Sequence, residues 1–183
     1  MNSYQAKTLL NLPDALKPFG LVLEYSTQKD VFELIKRENG KIIPADLFDI
    51  HTEEAVNRNH KWLAVSGLNH FFLFSAVYFE FYKNTLFGLC CIFPSGQSPE
   101  KFENFFHSLD LNYYGPARKY NNNSSTEDFF AIWKCGGITI ELLFYWEKKE
   151  LYLIYTSYSY VKRVRNENEK YFREMVMGQP PLS

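Results

Sequence analysis

Two stretches of the chain carry the same helical pattern of apolar residues. Thr27 is followed by apolar residues four, seven and eight positions later, and Ser98 is followed by apolar residues at the same three spacings. Thr and Ser are favoured helix N-caps, and this spacing places the apolar side chains on one face of a helix. The pattern therefore predicts two capped helices, which end near Asn39-Gly40 and Gly115-Pro116.

Aromatic-rich segments typical of β-strands accompany each predicted helix. The first set covers 62–67, 76–82 and 86–93, and the second covers 129–134, 138–146 and 151–158. A further short strand is predicted at 19–25. The segment 41–61 is polar and weakly periodic, which predicts a loop, with a short helix around 52–57 as the alternative. The fold class that follows is α+β: a single domain over 1–183 with an antiparallel sheet. We expect it to consist of two pseudo-repeated helix-plus-three-strand halves, about 19–94 and 98–160, and a C-terminal helix at about 161–177.

Aromatic side chains make up 18 % of the chain, with seventeen Phe and thirteen Tyr, although apolar and charged shares are ordinary. Most of these rings are expected in the core. Buried Tyr hydroxyls need hydrogen-bond partners, so a core accepts Tyr less readily than Phe. The excess of Tyr therefore indicates an interface.

Charge and apolar patterning argue against nucleic-acid and membrane partners. The formal net charge is −1, whereas a protein that neutralises phosphates normally carries a basic excess. The longest apolar stretch, 71–94, is interrupted by Glu80 and Lys83, so it predicts a hairpin rather than a membrane span. The N-terminus lacks the pattern of a signal peptide, and three cysteines do not form a disulfide framework. We expect a cytoplasmic protein.

Catalytic signatures are not evident in the sequence. The four histidines lack the spacing of metal ligands, and neither a phosphate-binding glycine loop nor a nucleophile elbow occurs. Cys90 and Cys91 are adjacent in an apolar strand, which predicts side chains on opposite faces and raised thiol pKa values. We predict no catalytic, cofactor-binding or metal residue and no cofactor.

The last predicted strand carries a row of tyrosines. Tyr152 and Tyr158 share one face of the strand with Ile154, whereas Leu151 and Leu153 share the opposite face, which we assign to the core. Tyrosine combines a large contact area with few rotatable bonds and a polar tip, as interface anchors do. The predicted protein-binding residues are Tyr152, Tyr158, Tyr160 and Trp146. The alternative is a half-exposed strand on which Tyr is simply a favoured residue.

The second half also carries a recurring pattern. It consists of Leu111 with Tyr114-Gly115-Pro116, then Trp133, then Ile-x-Ile-x-Leu at 138–142 and Leu-x-Leu-x-Tyr-x-Ser at 151–157. The pattern resembles small bacterial tandem helix-plus-sheet proteins, among them β-lactamase-inhibitory-protein-like folds and some immunity proteins of toxin systems.

The resemblance implies a non-enzymatic inhibitor or immunity protein, with a cognate toxin as its protein partner. In that group an exposed aromatic and polar sheet surface occupies the target enzyme. The alternative function is a small-molecule or lipid carrier. A carrier requires a cavity lined by Phe and Tyr, with a volume on the order of several hundred Å³, as ligand pockets in general have. An enzyme would require a buried His or Cys with a partner within hydrogen-bond reach.

Overall fold

A computed structural model describes residues 16–44, 60–68, 74–121, 128–159, 162–163 and 166. The helices within these ranges are α1 (Gln28–Arg37) and α2 (Pro99–Leu109), and α2 continues into a π-helical turn at Asp110–Tyr114. The strands are β1 (Lys41–Ile43), β2 (His60–Ser66), β3 (Ala76–Tyr82), β4 (Thr85–Ile92), β5 (Lys119–Asn121), β6 (Phe129–Cys135), β7 (Ile138–Tyr145) and β8 (Glu150–Ser157).

Both helices begin where their capping residues predict. The Asp30 carboxylate accepts hydrogen bonds from the backbone N–H of Thr27 at 2.7 Å and from the Thr27 hydroxyl at 2.8 Å. The Thr27 backbone hydrogen bond is the main reason why the pKa of Asp30 lies below its ordinary value. In α2, the Ser98 hydroxyl accepts the Lys101 N–H at 3.3 Å, and Pro99 fills the first helical position.

The described strands form one antiparallel sheet in the order β1-β2-β3-β4-β8-β7-β6-β5. In the described part of the chain, each helix is followed by four strands in which every strand pairs with the next. The two groups of strands meet where β4 pairs with β8, with Gly88 opposite Thr156 and Ile92 opposite Tyr152. One continuous sheet therefore joins both parts of the chain.

The helices and alternate strand residues form a single hydrophobic core on one side of this sheet. Val31 and Leu34 of α1 and Phe102 and Leu109 of α2 are buried in the same cluster. The sheet contributes every second residue, for example Ile140, Leu142 and Phe144 of β7 and Leu151, Leu153 and Tyr155 of β8. This alternation follows from the two-residue period of a strand that is covered on one face.

The prediction of three strands in each half was wrong, since four follow each helix in the described chain. The additional strands, β1 and β5, have three residues each and occupy the two sheet edges. Three residues are too few to show an alternation of apolar and polar positions. The segment that forms β1 was therefore predicted as part of the loop 41–61. Of the predicted C-terminal helix 161–177, only Lys162, Arg163 and Asn166 are described, and these three are helical.

The predicted strand at 19–25 was also wrong. A 3₁₀ turn spans Pro18–Gly20, and the chain then turns back on itself before α1. Phe19 and Glu24 have positive φ angles of 60° and 72°, which are incompatible with an extended strand. The segment is nonetheless buried, since Phe19, Leu21 and Leu23 belong to the main core.

Candidate protein-binding face

The side of the sheet that faces away from the helices carries the predicted tyrosine row. On β8, Tyr152 and Ile154 are half-buried, whereas their neighbours Leu151, Leu153 and Tyr155 are buried. The prediction for this strand, core on one face and a partly exposed row on the other, is therefore confirmed.

Cross-strand pairing extends this row over two further strands. Tyr152 lies opposite Leu143 and Ile154 lies opposite Glu141, both on β7. Leu143 and Glu141 in turn lie opposite Phe130 and Ile132 on β6. The open face, as we call it, consists of Phe130, Ile132, Lys134, Thr139, Glu141, Leu143, Tyr145, Tyr152, Ile154 and Thr156. Its members are half-buried or exposed.

Two tyrosines form an aromatic pair at one end of the open face. The rings of Tyr145 and Tyr152 lie edge to face, with centroids 5.4 Å apart, and Tyr145 is 38 % exposed. The Tyr152 hydroxyl donates to the Glu150 carboxylate at 2.5 Å. Burial and then this hydrogen bond raise the pKa of Tyr152, so the phenol remains a neutral donor at physiological pH. The pair is held in place before any partner arrives.

Tyr158 lies just beyond β8 and, among the predicted site residues that the structure describes, it is the most exposed, at 65 %. Its ring lies 6.0 Å from the Lys134 ammonium, measured to the ring centroid. Its backbone is anchored, because its N–H donates to the Gly137 carbonyl at 3.1 Å. The preceding residue, Ser157, is fully buried and its hydroxyl donates to the Glu24 carboxylate. An exposed ring therefore projects from a fixed backbone.

The structure separates Trp146 from the other predicted residues. Trp146 lies in the turn after β7, with its ring 6.1 Å from that of Phe129 and 6.2 Å from that of Phe144, both in the helix-side core. Its backbone N–H donates to Asp128 at 2.9 Å. Trp146 thus packs at the rim of the core and not on the open face. Tyr160 lies outside the described residues.

Sequence reasoning missed Tyr145 and the apolar residues of β6 and β7 on the open face. A signal was present, because Tyr145 has the same parity along β7 as Glu141 and Leu143, and Phe130 has the same parity along β6 as Ile132. What could not be read from the sequence is that these strands lie beside β8, on the same sheet.

On the half of the sheet formed by β1 to β4, more side chains are buried on the side away from the helices. Ala64, Ala76 and Tyr78 are buried there in a small separate cluster, with Cys90 packed against it. Burial raises the pKa of Tyr78 to about 12. Trp62 on β2 is nevertheless 38 % exposed on this side, as much as Tyr145, so accessible aromatic groups also occur on this half. The row of half-buried and exposed side chains that contains the Tyr145–Tyr152 pair lies on β6, β7 and β8.

The cysteines occupy opposite sides of β4, as predicted. Cys91 is buried in the main core, and Cys90 is half-buried on the other side. Burial, followed by the charge of Glu80, raises the pKa of Cys90 to about 12, and burial raises that of Cys91 strongly. Both are therefore protonated at neutral pH and poorly nucleophilic. Within the described ranges, no group of three His, Cys, Asp or Glu side chains is placed to hold a metal ion.

A groove of about 520 Å³ lies between the turn before α1 and α1 itself. Charged side chains line much of it, among them Asp30, Glu33 and Arg37, and Phe19 is the one aromatic side chain among the described residues that line it. The carrier alternative expects a cavity lined by Phe and Tyr, and this groove does not supply one. That alternative stays a prediction.

Comparisons with protein-family models, with curated proteins and with solved structures give no match to this chain. The resemblance to toxin-immunity proteins therefore also stays a prediction. Among the described helices, none combines the length and the apolar character required to cross a bilayer. The case for a function consequently depends on the geometry of the open face.

Proposed function

We propose that this chain is a non-enzymatic protein-binding module that contacts its partner through the open face. Most concretely, it is an inhibitor or immunity protein that neutralises a bacterial toxin in the cytoplasm. The observation that carries this proposal is the position of Tyr145 and Tyr152 on the open face and of Tyr158 just beyond it. Tyr145 and Tyr158 are exposed, Tyr152 is half-buried, and hydrogen bonds or ring contacts hold all three side chains.

Interface energetics support this use of the open face. Aromatic anchors that are already ordered lose little conformational entropy on binding, so more of their contact energy appears as affinity. Tyr145 and Tyr152 are ordered by their mutual contact and by Glu150. The surrounding apolar residues, such as Ile132 and Ile154, provide the area that a partner can exclude from water.

The size of the patch sets a condition on the complex. Three strands about 4.8 Å apart and about seven residues long give a planar area of roughly 300–350 Å². A stable interface covers about 800 Å² per partner. The partner must therefore also contact neighbouring features, of which the exposed Tyr158 and the half-buried Cys90 and Ile92 of β4 are nearest.

We further propose that the two parts of the chain are related halves and that a C-terminal helix follows them. The order of the described elements supports the first point, since each helix is followed by four sequentially paired strands. The cytoplasmic assignment is supported by the three cysteines, all of which are free thiols.

The test is binding and growth rescue with the product of the adjacent gene. We expect co-expression of this chain to restore growth of cells that produce the toxin, and the two proteins to co-purify. Tyr145→Ala and Tyr158→Ala should each weaken the complex about tenfold or more, as hot-spot truncations do. Tyr25→Ala is the matched control, because Tyr25 is also 38 % exposed but lies in the turn before α1.

Two results would remove the proposal. One is that the neighbouring product and the host extract yield no protein that binds this chain specifically. The other is that a bound protein is retained equally by Tyr145→Ala, Tyr158→Ala and Tyr25→Ala.

A further inference from the structure

We infer that the partner presents a lysine or arginine side chain, set among apolar groups, to the Glu141 carboxylate at the middle of the open face. This inference rests on the proposed function and specifies the chemistry of the partner's contact surface.

Glu141 lies at the centre of an otherwise largely apolar patch. It lies directly opposite Ile154 on β8 and Ile132 on β6, and Leu143 is its neighbour on the same face of β7. Directly opposite residues of an antiparallel pair have Cβ atoms about 4.5–5.5 Å apart, so both isoleucines flank the glutamate closely. Glu141 is half-buried in this position. A negative charge is therefore partly desolvated before a partner binds.

No described cation forms an ion pair with Glu141. The basic residue nearest to it in register is Lys134, which lies opposite Thr139, the residue two positions before Glu141. The Lys134 ammonium lies near the ring of Tyr158, 6.0 Å from its centroid. Within the described part of the chain, no cation is therefore paired with this carboxylate, and we assign that cation to the partner.

The charges around Glu141 favour a positive partner. Glu150 adds a second carboxylate beside Tyr152, and Lys134 is the single cation among the residues that define the open face. Burial raises the pKa of Tyr145 first, and nearby negative charges, including those of Asp128, Glu141 and Glu150, raise it further. The carboxylates of Glu141 and Glu150 thus both act on the aromatic end of the open face.

Covering this patch with a purely apolar surface would leave Glu141 buried and unpaired, which weakens binding. An acidic surface would add like-charge repulsion, and a second copy of this chain would bring the same two carboxylates. A basic side chain removes the penalty. Arginine fits best, because its guanidinium can donate two N–H hydrogen bonds to the carboxylate while its plane stacks on the rings of Tyr145 or Tyr152.

The test uses a displayed library of random twelve-residue peptides as the probe. Peptides are selected on the wild-type chain, and their affinities are then measured for three variants. Ile154→Asp disrupts the open face, Glu141→Gln removes the charge with little change of shape, and Glu147→Gln is the matched control in the exposed turn after β7. Thermal unfolding of each variant checks that the fold is retained.

The inference predicts peptides enriched in Lys or Arg next to apolar residues. Their binding should be lost in Ile154→Asp, unchanged in Glu147→Gln and weakened about 30-fold or more in Glu141→Gln. A peptide with its basic residue changed to Glu should in turn bind Glu141→Lys better than wild type. That charge swap shows that the loss does not come from misfolding.

Failure of the inference differs from failure of the proposed function. Two results would overturn the inference alone, for peptides whose binding requires an intact open face. One is that these peptides show no enrichment in Lys or Arg, and the other is that they bind Glu141→Gln as tightly as wild type. If no selected peptide is sensitive to Ile154→Asp, the open face does not bind protein, and both are wrong.

Discussion

Replacement of Asp110 by alanine should destabilise the fold by about 2–4 kcal/mol. One carboxylate oxygen of Asp110 accepts the Ala117 N–H at 2.7 Å and the Trp133 indole N–H at 3.1 Å. Trp133 is 1 % exposed and lies on the core side of β6. Asp110 therefore ties together the end of α2, the loop that leaves it and a central aromatic residue of the sheet.

The expected loss of stability depends on which hydrogen-bond acceptors each N–H donor keeps after the substitution. A hydrogen bond to a charged group contributes about 1.5–3 kcal/mol. The Trp133 indole also donates to the Gly115 carbonyl at 3.0 Å, so it keeps one acceptor after the change and contributes less to the loss. In the described structure, the Ala117 N–H has Asp110 as its acceptor. Asp110→Asn retains a neutral oxygen acceptor and should cost only about 1 kcal/mol.

Urea unfolding followed by circular dichroism measures these free energies. For a chain of this size, each kcal/mol corresponds to roughly 2–4 °C in Tm. Glu147→Ala, in the exposed turn after β7, is the control and should lie within about 0.5 kcal/mol of wild type. The stabilising role of the Asp110 carboxylate is contradicted if Asp110→Ala also lies within that range of wild type, or if Asp110→Asn costs as much as Asp110→Ala.

Three further outcomes are expected. Phe102 is fully buried, so Phe102→Ala should cost about 3–5 kcal/mol in urea unfolding, whereas Phe32→Ala, at a 48 % exposed position of α1, should cost under about 1 kcal/mol; equal costs would contradict the assigned core. Because the folded-state pKa of Asp30 is lowered, its stabilising contribution is present above the unfolded pKa and is lost as pH falls through the folded pKa. Asp30→Asn should therefore destabilise by about 0.5–1 kcal/mol at pH 7 and progressively less below about pH 4, and a constant difference over this range would be inconsistent with the cap. Cys90 and Cys91, with raised pKa values, should react with iodoacetamide at pH 8 at least about tenfold more slowly in the native chain than in urea, as counted by mass spectrometry of their shared peptide; equal rates would show that the thiols are accessible and ionised.

Elements with strong local signals were predicted closely. The caps at Thr27 and Ser98 were assigned correctly, because a cap needs only the residue and the next turn of helix. The predicted strand 76–82 coincides with β3, and 138–146 exceeds β7 by one residue. The shortest strands, β1 and β5, were missed because their three residues are held by a neighbouring strand and carry too short a pattern of their own.

The candidate site was predicted only where it follows from the parity of one strand. Parity along β8 correctly separates Tyr152 from Leu151. It cannot place Trp146, because a residue in a turn has no strand parity, and the ring packs towards whichever apolar surface lies within reach. Here that surface is formed by Phe129 and Phe144 in the core.

Sequence pattern alone predicts the α+β class, both helix starts, the larger strands and the buried face of β8, because caps and the two-residue period of strands are local properties of the chain. The pairing of β4 with β8, and the extension of the tyrosine row by β6 and β7, are visible only in the folded sheet. Strand pairing depends on contacts between residues far apart in sequence, here Gly88 with Thr156, and such contacts form only when the whole sheet assembles. The isolation of Glu141 among isoleucines has the same origin, since its two neighbours come from different strands.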